Sequence, residues 1–270
     1  MASRISIVIP SRLGTSSNQI PIHHELPAPL LIDKAIASVR SQTISKGVEF
    51  QILVGIDAGS NPPTHLAVQP GVHFAESRGH SQAAALNAAA KMVDGDLVAI
   101  LEDDDQWEPT FLEESTAALE NAAFVSSTQL EVTPDGEVLR INDFPTPSGW
   151  LMKRATWELV GPFNEAFRWH LDNEWLGRLA EKRVPRVHLV EATAPIDPNL
   201  TVQVRPWLAA CLKFGGPSVR LRRHQSSWPL IKRLVHAHSG MIAISRSQSL
   251  QAESKAEYAA LEKRFGYIPW

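Results

Sequence analysis

The sequence predicts an α/β fold, with a mostly parallel central sheet flanked by helices and a basic, helical C-terminal extension. Three observations carry that expectation. Short apolar runs of strand length alternate with helix-spaced segments through the first half of the chain, the pattern of parallel strands joined by helical crossovers. Two of those runs, Phe50–Ile56 and Leu97–Leu101, end abruptly on carboxylates, Asp57 in one and Glu102, Asp103, Asp104 and Asp105 in the other. A buried strand runs into acids only where its sheet ends, and the carboxyl edge is where open α/β sheets bind ligands. Charge is also segregated: residues 1–197 hold 26 acids and 15 Lys or Arg, while residues 198–252 hold eight Lys or Arg and no acid. The expected division is a sheet domain over 1–197 and an extension over 198–270 packed on it.

Each element follows from its residues. Ser3–Pro10 reads as the first strand, closed by Pro10, which has no N–H for a ladder. No Gly-x-Gly-x-x-Gly follows, which argues against a dinucleotide-binding turn. Residues 11–29, rich in Ser, Pro and Asn, read as a long loop carrying a surface pair, His23 and His24. Leu31, Ile32, Ala35, Ile36 and Val39 lie at helical spacing. Strands are expected at 50–57 and 72–74. Arg78-Gly79-His80-Ser81 then turns into an Ala-rich helix over 81–93, whose small side chains permit close packing on a sheet. The strand at 97–101 and a helix beyond Pro109 follow. Phe124–Thr128 and Val138–Ile141 read as strands joined by the turn Pro134-Asp135-Gly136. Residues 149–154 read as a strand, 155–160 as a short helix closed by Gly161-Pro162, and 172–182 as a helix with Asp172 as its N-cap. Val187–Val190 is a late strand, and helical patterns recur at 206–213, 229–238 and 250–264.

Composition narrows the classes of function. No window reaches the roughly 18–20 apolar residues of a membrane span, and no charged-then-apolar leader precedes Arg4. The single cysteine, Cys211, excludes an intramolecular disulfide and a multi-cysteine metal site, and its apolar neighbours suit a buried small hydrophobe. A cytoplasmic setting is expected. The basic stretch 205–246 suits phosphate groups or peripheral contact with an anionic membrane. No stacking motif accompanies it, so nucleic acid is not an expected partner. The acid quartet itself has two readings: a solvated turn ahead of a helix, or a cluster neutralised by a cation.

Seven landmarks, in order, resemble those of family 2 glycosyltransferases of the GT-A fold. Ser6–Pro10 resembles the opening strand, and Ala35–Thr43 the "SVLxQT" helix ending. Val54–Ser60 resembles "VVDDGS", Arg78–Ala89 "NRGxxxARNxG", and Leu101–Trp107 "LDADDxW". Val160–Glu165 resembles "xGGFDE", and Leu171–Leu179 "EDxDLxxRL". Ala58, Glu102 and Leu171 depart from the family pattern at positions usually held by Asp, Asp and Glu.

The resemblance implies transfer of a sugar from a nucleotide-diphosphate sugar to a hydroxyl of a glycan, polysaccharide or small molecule, with inversion. The implied cofactors are Mn²⁺ or Mg²⁺ and the nucleotide-sugar donor, UDP-linked by preference, with GDP- and dTDP-sugars as alternatives. Asp104 is the implied metal ligand, joined by Glu102 and by His224 of the "R-x-H-x-x-S"-like segment Arg222–Ser227. Pro10, Arg12, Asp57, Arg78, Glu102, Asp103 and Arg223 are the implied donor-binding residues, with Asp57 on the base and Arg223 on the diphosphate. Asp105 supports the cluster or caps the next helix, and Arg78 covers the donor or forms a salt bridge where its helix begins. Asp172 is the implied general base, its alternative being a helix cap. Trp169 is the implied acceptor platform, the other tryptophans being core by default. A nucleotidyltransferase of related architecture and a catalytically silent sugar-nucleotide-binding protein are the competing readings.

Overall fold

Alternate residues of the first strand, β1 (Arg4–Ser11), enter two different apolar layers, so the sheet around it is covered on both faces. The computed structural model describes residues 4–13, 30–44, 47–194, 219–237 and 239–269. The expectations for the loop 14–29 with His23 and His24, for the helix at 206–213 with Cys211, and for Arg205 and Lys213 lie outside the described residues.

Ile5, Ile7 and Ile9 pack with Ile32 and Ala35 of α1 (Leu31–Arg40) and Phe111 and Leu112 of α4 (Phe111–Ala118). Val8 faces the other way, toward Leu86 of α3 (Gln82–Ala90), Val160 of α5 (Arg154–Val160) and Trp175 and Leu176 of α6 (Leu171–Glu181). The remaining strands of this sheet are β2 (Glu49–Ile56), β3 (Val72–Glu76), β4 (Leu97–Ile100), β6 (Phe124–Ser127), β9 (Trp150–Lys153), β10 (Arg186–Val190) and β11 (Val219–Arg223). Their order is β11-β10-β6-β9-β4-β1-β2-β3, and every pairing is parallel except the two made by β9. A short helix, α2 (Thr64–Ala67), lies between β2 and β3. The first strand extends one residue past Pro10, because Ser11 still pairs with Ile56.

A second, four-stranded sheet stands apart from the sequence expectations. It comprises β5 (Gln106–Trp107), β12 (Ile231–Leu234), β7 (Gln129–Val132) and β8 (Val138–Asn142), in that order. The hairpin turn at 133–137 therefore joins β7 to β8 and not the strand at Phe124, since the chain leaves the large sheet after Ser127 and begins a new strand at Gln129. Over its described residues, 229–237, the segment expected as a helix is not helical. Ile231–Leu234 is a strand because it lies between β5 and β7 and completes their ladders, a tertiary pairing that overrides local pattern. The C-terminal extension thus supplies two strands as well as its helices, α7 (Gly240–Arg246) and α8 (Gln248–Phe265).

Two glycines mark close approaches. A Cβ on Gly177 of α6 would lie 2.5 Å from the Phe265 ring, so α8 rests its last turn directly on α6. Gly55 of β2 is tighter still: a Cβ there would lie 1.9 Å from the Ala85 carbonyl oxygen of the Ala-rich α3. Gly55→Ala must push α3 off the sheet, and overpacking of this kind destabilises by about 1–3 kcal/mol or more. The urea midpoint of the variant is expected to fall accordingly, and an unchanged midpoint would contradict this packing.

Candidate active site

Three neighbouring parallel strands, β4, β1 and β2, end side by side. Leu101 continues from β4 by donating its N–H to Val8 of β1 at 3.1 Å, which sets Glu102 and its followers at the mouth of the sheet. Asp57 follows Ile56, the partner of Ser11, and so leaves the same edge two strands away from β4. The loops after β2 and β3 are tied together by Gly59 N–H to Glu76 at 2.7 Å and Ala58 N–H to the Gly79 carbonyl at 3.4 Å. That brings Asp57 and the exposed Arg78 to one side of the edge. No salt bridge is formed by Arg78 among the described residues.

The four consecutive acids divide into different surroundings. Asp103 turns toward β1 and accepts the Ser11 hydroxyl at 2.6 Å, with the Arg12 backbone N–H and guanidinium also favouring its charge. Glu102 accepts from the Gln82 side chain at the first turn of α3. Asp105 is buried and does not cap a helix. Its carboxylate accepts the Ser148 hydroxyl at 2.5 Å and the Leu234 N–H at 3.0 Å, and Ser148 in turn accepts the Glu102 N–H at 3.1 Å. Asp105 is thereby the knot joining the end of β4, the turn Pro147–Gly149 and the end of β12. Carboxylate oxygens of Glu102, Asp104 and Asp105 come within 4.8 Å of one another.

Enclosure and mutual repulsion show in the titration of these groups. Burial, then the charge of Asp104, pushes Glu102 up to about 7 and Asp103 up to about 6. The same causes raise Asp105 well above the usual carboxylate range.

Two side chains of the tail, Arg233 and His236, reach the acids, and neither was among the expected site residues. Arg233 of β12 bonds Glu131 at 2.8 Å and faces Glu102 and Asp105. Burial would lower its pKa, but the charges of Glu102, Asp105 and Glu131 outweigh burial and raise it. His236 Nε2 lies 3.0 Å from Asp104, and that hydrogen bond raises the imidazole pKa. The histidine at the cluster is therefore His236, not His224. His224 follows β11, four places from β4 in the sheet, or roughly 19 Å at ~4.8 Å per strand. It is buried with both ring nitrogens unpartnered among the described residues, and burial lowers its pKa. Arg223 likewise turns away, donating to the Ala194 carbonyl at 2.9 Å. The only hint of Arg233 and His236 was their position in the acid-free stretch.

Asp172 is not the N-cap of α6; His170 is, and Asp172 occupies the first turn. Its carboxylate accepts the Asn173 N–H at 2.8 Å. Burial raises it to about 6, against the backbone hydrogen bonds and the charge of Arg233. Asp172 is close enough to Glu102 for its charge to help raise the Glu102 pKa. Leu171 is buried in the core, an apolar anchor for the start of the helix. Trp150 and Trp175 belong to an aromatic core cluster, and Trp107 is buried with its Nε1 donating to the Ser148 carbonyl at 2.6 Å. Trp169 is partly exposed, with the Arg168 guanidinium 4.5 Å over its ring and Glu253 on its Nε1 at 3.2 Å.

Comparison with known proteins agrees with this architecture. The family model described as glycosyl transferase family 2 matches residues 19–169. A protein of Bacillus subtilis (strain 168) described as the uncharacterized glycosyltransferase YwdF is 27% identical over 224 residues, spanning 73% of this chain and 76% of its own. S. aureus TarS, in a crystal structure of residues 1–349 in complex with UDP, superposes with a TM-score of 0.52 at 10% identity, covering 98% of this chain and 72% of that one. A second TarS structure gives a TM-score of 0.54 at 10% identity over 97% of this chain and 43% of that one.

The raised carboxyls also predict a pH dependence of stability. A group whose folded pKa lies above its unfolded value stabilises below the unfolded pKa, and that contribution is lost as pH rises through the folded value. For Glu102, Asp103 and Asp172 this window runs from about 4 to about 7. In EDTA, Tm is expected to fall as pH is raised from 5 to 7.5, and Glu102→Gln is expected to flatten the slope. A wild-type Tm that rises across this interval would contradict the electrostatics of the cluster.

Proposed function

The chain belongs to glycosyl transferase family 2, and on that footing we propose that it moves a sugar, with inversion, from a UDP-sugar and a divalent cation held at the acid cluster to an acceptor hydroxyl deprotonated by Asp172. The observation that carries this reading is the meeting at one sheet edge of two kinds of acid. One is a mutually repelling set at the end of β4. The other is a separate, desolvated carboxyl at the start of α6. Residues 1–197 would supply the donor site and the base, and the extension would supply the counter-charges.

The residues fit a hard cation: Glu102, Asp104 and Asp105 converge their oxygens, and oxygen donors suit Mg²⁺ or Mn²⁺. Asp104 and Glu102 are the ligands in this reading. Asp105, already engaged by Ser148 and Leu234, braces them, and His236 orients Asp104 through its hydrogen bond. When bound, the ion supplies Lewis-acid stabilisation of the departing diphosphate. Arg233 keeps the inner side of the cluster from carrying an uncompensated charge. Asp57, Arg78, Pro10 and Arg12 border the place of the nucleoside. A carboxylate at Asp57 is suited to accept the N3–H of uracil, which, with the UDP complex of TarS, supports a UDP donor ahead of GDP or dTDP. Asp103, held by Ser11, faces that same side.

The chemistry asked of Asp172 is a single proton. The acceptor oxygen bonds to the anomeric carbon as the bond to the diphosphate breaks, and the hydroxyl proton passes to the carboxylate. A base raised to about 6 is ionised at neutral pH yet more basic than a solvated Asp. Of the tail's cations, Lys232 and Arg233 are paired internally with Glu108 and Glu131 at 2.8 Å. Arg223 donates to the Ala194 carbonyl, and the exposed Arg220 and Arg222 of β11 and Arg246 of α7 are what remains, among the described residues of 205–246, for an anionic membrane or a phosphorylated acceptor.

A thermal-shift screen of UDP, GDP and dTDP, each with Mn²⁺, followed by turnover of the matching sugars, tests the reading; no binding and no turnover with any of them would refute it. Asp172→Asn is expected to lower kcat by about 10²–10⁴-fold while leaving UDP affinity within a factor of about two. The wild-type kcat is expected to rise with pH through about 6 to a plateau, the sign required of a base that acts ionised. His236→Ala is expected to weaken Mn²⁺ binding by about 10–100-fold, read by Mn²⁺ titration in the presence of UDP. Unchanged Mn²⁺ affinity would remove His236 from the metal site.

A further inference from the structure

The segment just ahead of α6 is gripped by the C-terminal helix. Glu257 of α8 accepts three successive backbone N–H groups: Arg168 at 2.8 Å on one oxygen, Trp169 and His170 at 2.9 Å on the other. One turn of the same helix completes the grip. Ser254 Oγ lies 2.7 Å from His170 Nε2, and the Tyr258 ring stacks on the His170 imidazole with centroids 3.7 Å apart. Hydrogen bonds from backbone N–H groups to a carboxylate are stronger than neutral ones. Asp172 follows two residues after the last of these N–H groups, so the peptide planes of 168–170 set the direction from which the first turn of α6 starts. Tyr258 is near enough to Asp172 for that carboxylate to raise its pKa together with burial.

The grip is separable from the docking of α8 as a whole. Phe265 against Gly177, Arg264 to Glu174 at 2.7 Å, and the buried Leu261 hold the last turns of α8 without Glu257. Docking alone does not require a carboxylate that collects three N–H groups from one loop.

We propose that Glu257 is a positioning residue for Asp172, fixing the peptide groups of Arg168–His170 so that the first turn of α6 presents the Asp172 carboxyl to the acceptor hydroxyl. The proposal rests on the reading of Asp172 as the base. It places a determinant of the reaction in the C-terminal helix, outside the residues 19–169 matched to the family. The consequence is kinetic: a misplacement of about 1 Å in a reacting group can slow a reaction by about 10²-fold.

The test compares wild type, Glu257→Ala, Glu257→Gln and Asp172→Asn. Amide hydrogen exchange is followed at 168–173 in the unliganded protein. UDP affinity is measured with Mn²⁺, and kcat and donor KM are measured with UDP-glucose and UDP-N-acetylglucosamine as probes. Glu257→Ala is expected to exchange about tenfold faster or more at 168–170, because opening there no longer breaks three bonds. Its kcat is expected to fall by about 10²-fold with donor KM and UDP affinity unchanged. Glu257→Gln, which keeps the shape and one acceptor oxygen, is expected to lie between, and it decides alone if the alanine variant does not fold. A loss of packing would instead move KM, UDP affinity and kcat together, and that result would overturn the proposal. Exchange at 168–170 at the wild-type rate would overturn it, as would a wild-type kcat in a variant whose exchange has accelerated. Asp172→Asn separates the two readings. If it is inactive while Glu257→Ala is fully active, only the positioning role fails; if it is fully active, the base assignment fails and the positioning role with it.

Discussion

Four adjacent carboxylates in an enclosed site repel one another strongly enough to hold some of their protons to near neutral pH unless other charge meets them. The architecture around Glu102–Asp105 answers that constraint from several directions at once. Asp103 is led away toward Ser11, and Asp105 is locked between Ser148 and Leu234. Arg233 brings positive charge to the inner side of the cluster, and His236 hydrogen-bonds Asp104 on its outer side. What the arrangement leaves is a small group of oxygens, from Glu102, Asp104 and Asp105, close enough together to be shared by a cation. Burial first, and then the residual repulsion, raises the pKa values of these groups, and a bound ion would offset both.

That constraint explains why the extension is built into the fold. Strand β12 enters between β5 and β7 and so carries Arg233 to Glu131 and on to the acids. The next few residues bring His236 to Asp104. Helix α8 then turns back across α6, and its Glu257 meets the loop that precedes Asp172. The acidic and basic stretches of the chain thus meet around the acids at one sheet edge. Within 219–237 it is Arg233 that is directed inward, while Arg220, Arg222, Arg223 and Lys232 are exposed.

The exposed, basic edge strand β11 was not expected, but most of the large sheet was legible in the sequence because its inner strands are short apolar runs buried on both faces. Such runs leave little choice of conformation once flanked by helices. The acids at its edge were legible for the same reason, since charges next to a buried run can lie only where the run emerges. The second sheet was legible only in its strand at 138–141. Gln129–Val132 follows the preceding strand after a single residue, and Ile231–Leu234 has no strand signal apart from its partners. Both are strands because ladders were waiting for them. The roles expected of Arg223 and His224 rested on a loosely matched segment, and β11 is an edge strand four places from β4. Arg233 and His236, of the same two residue types, occupy the neighbourhood instead.

By itself the sequence determined the fold class, the family, the edge at which the acids gather, and the separation of acid from base along the chain. Those properties are local: each depends on which residues adjoin which in a strand, a turn or a helix start. Only the tertiary structure decided which cations face which anions, that Asp105 is a buried knot and not a cap, and that a glutamate 85 positions after Asp172 governs the loop before it. Electrostatic and hydrogen-bond partners act over a few ångströms of space irrespective of sequence distance. They exist only once β12 and α8 have returned to the edge that the first hundred or so residues built.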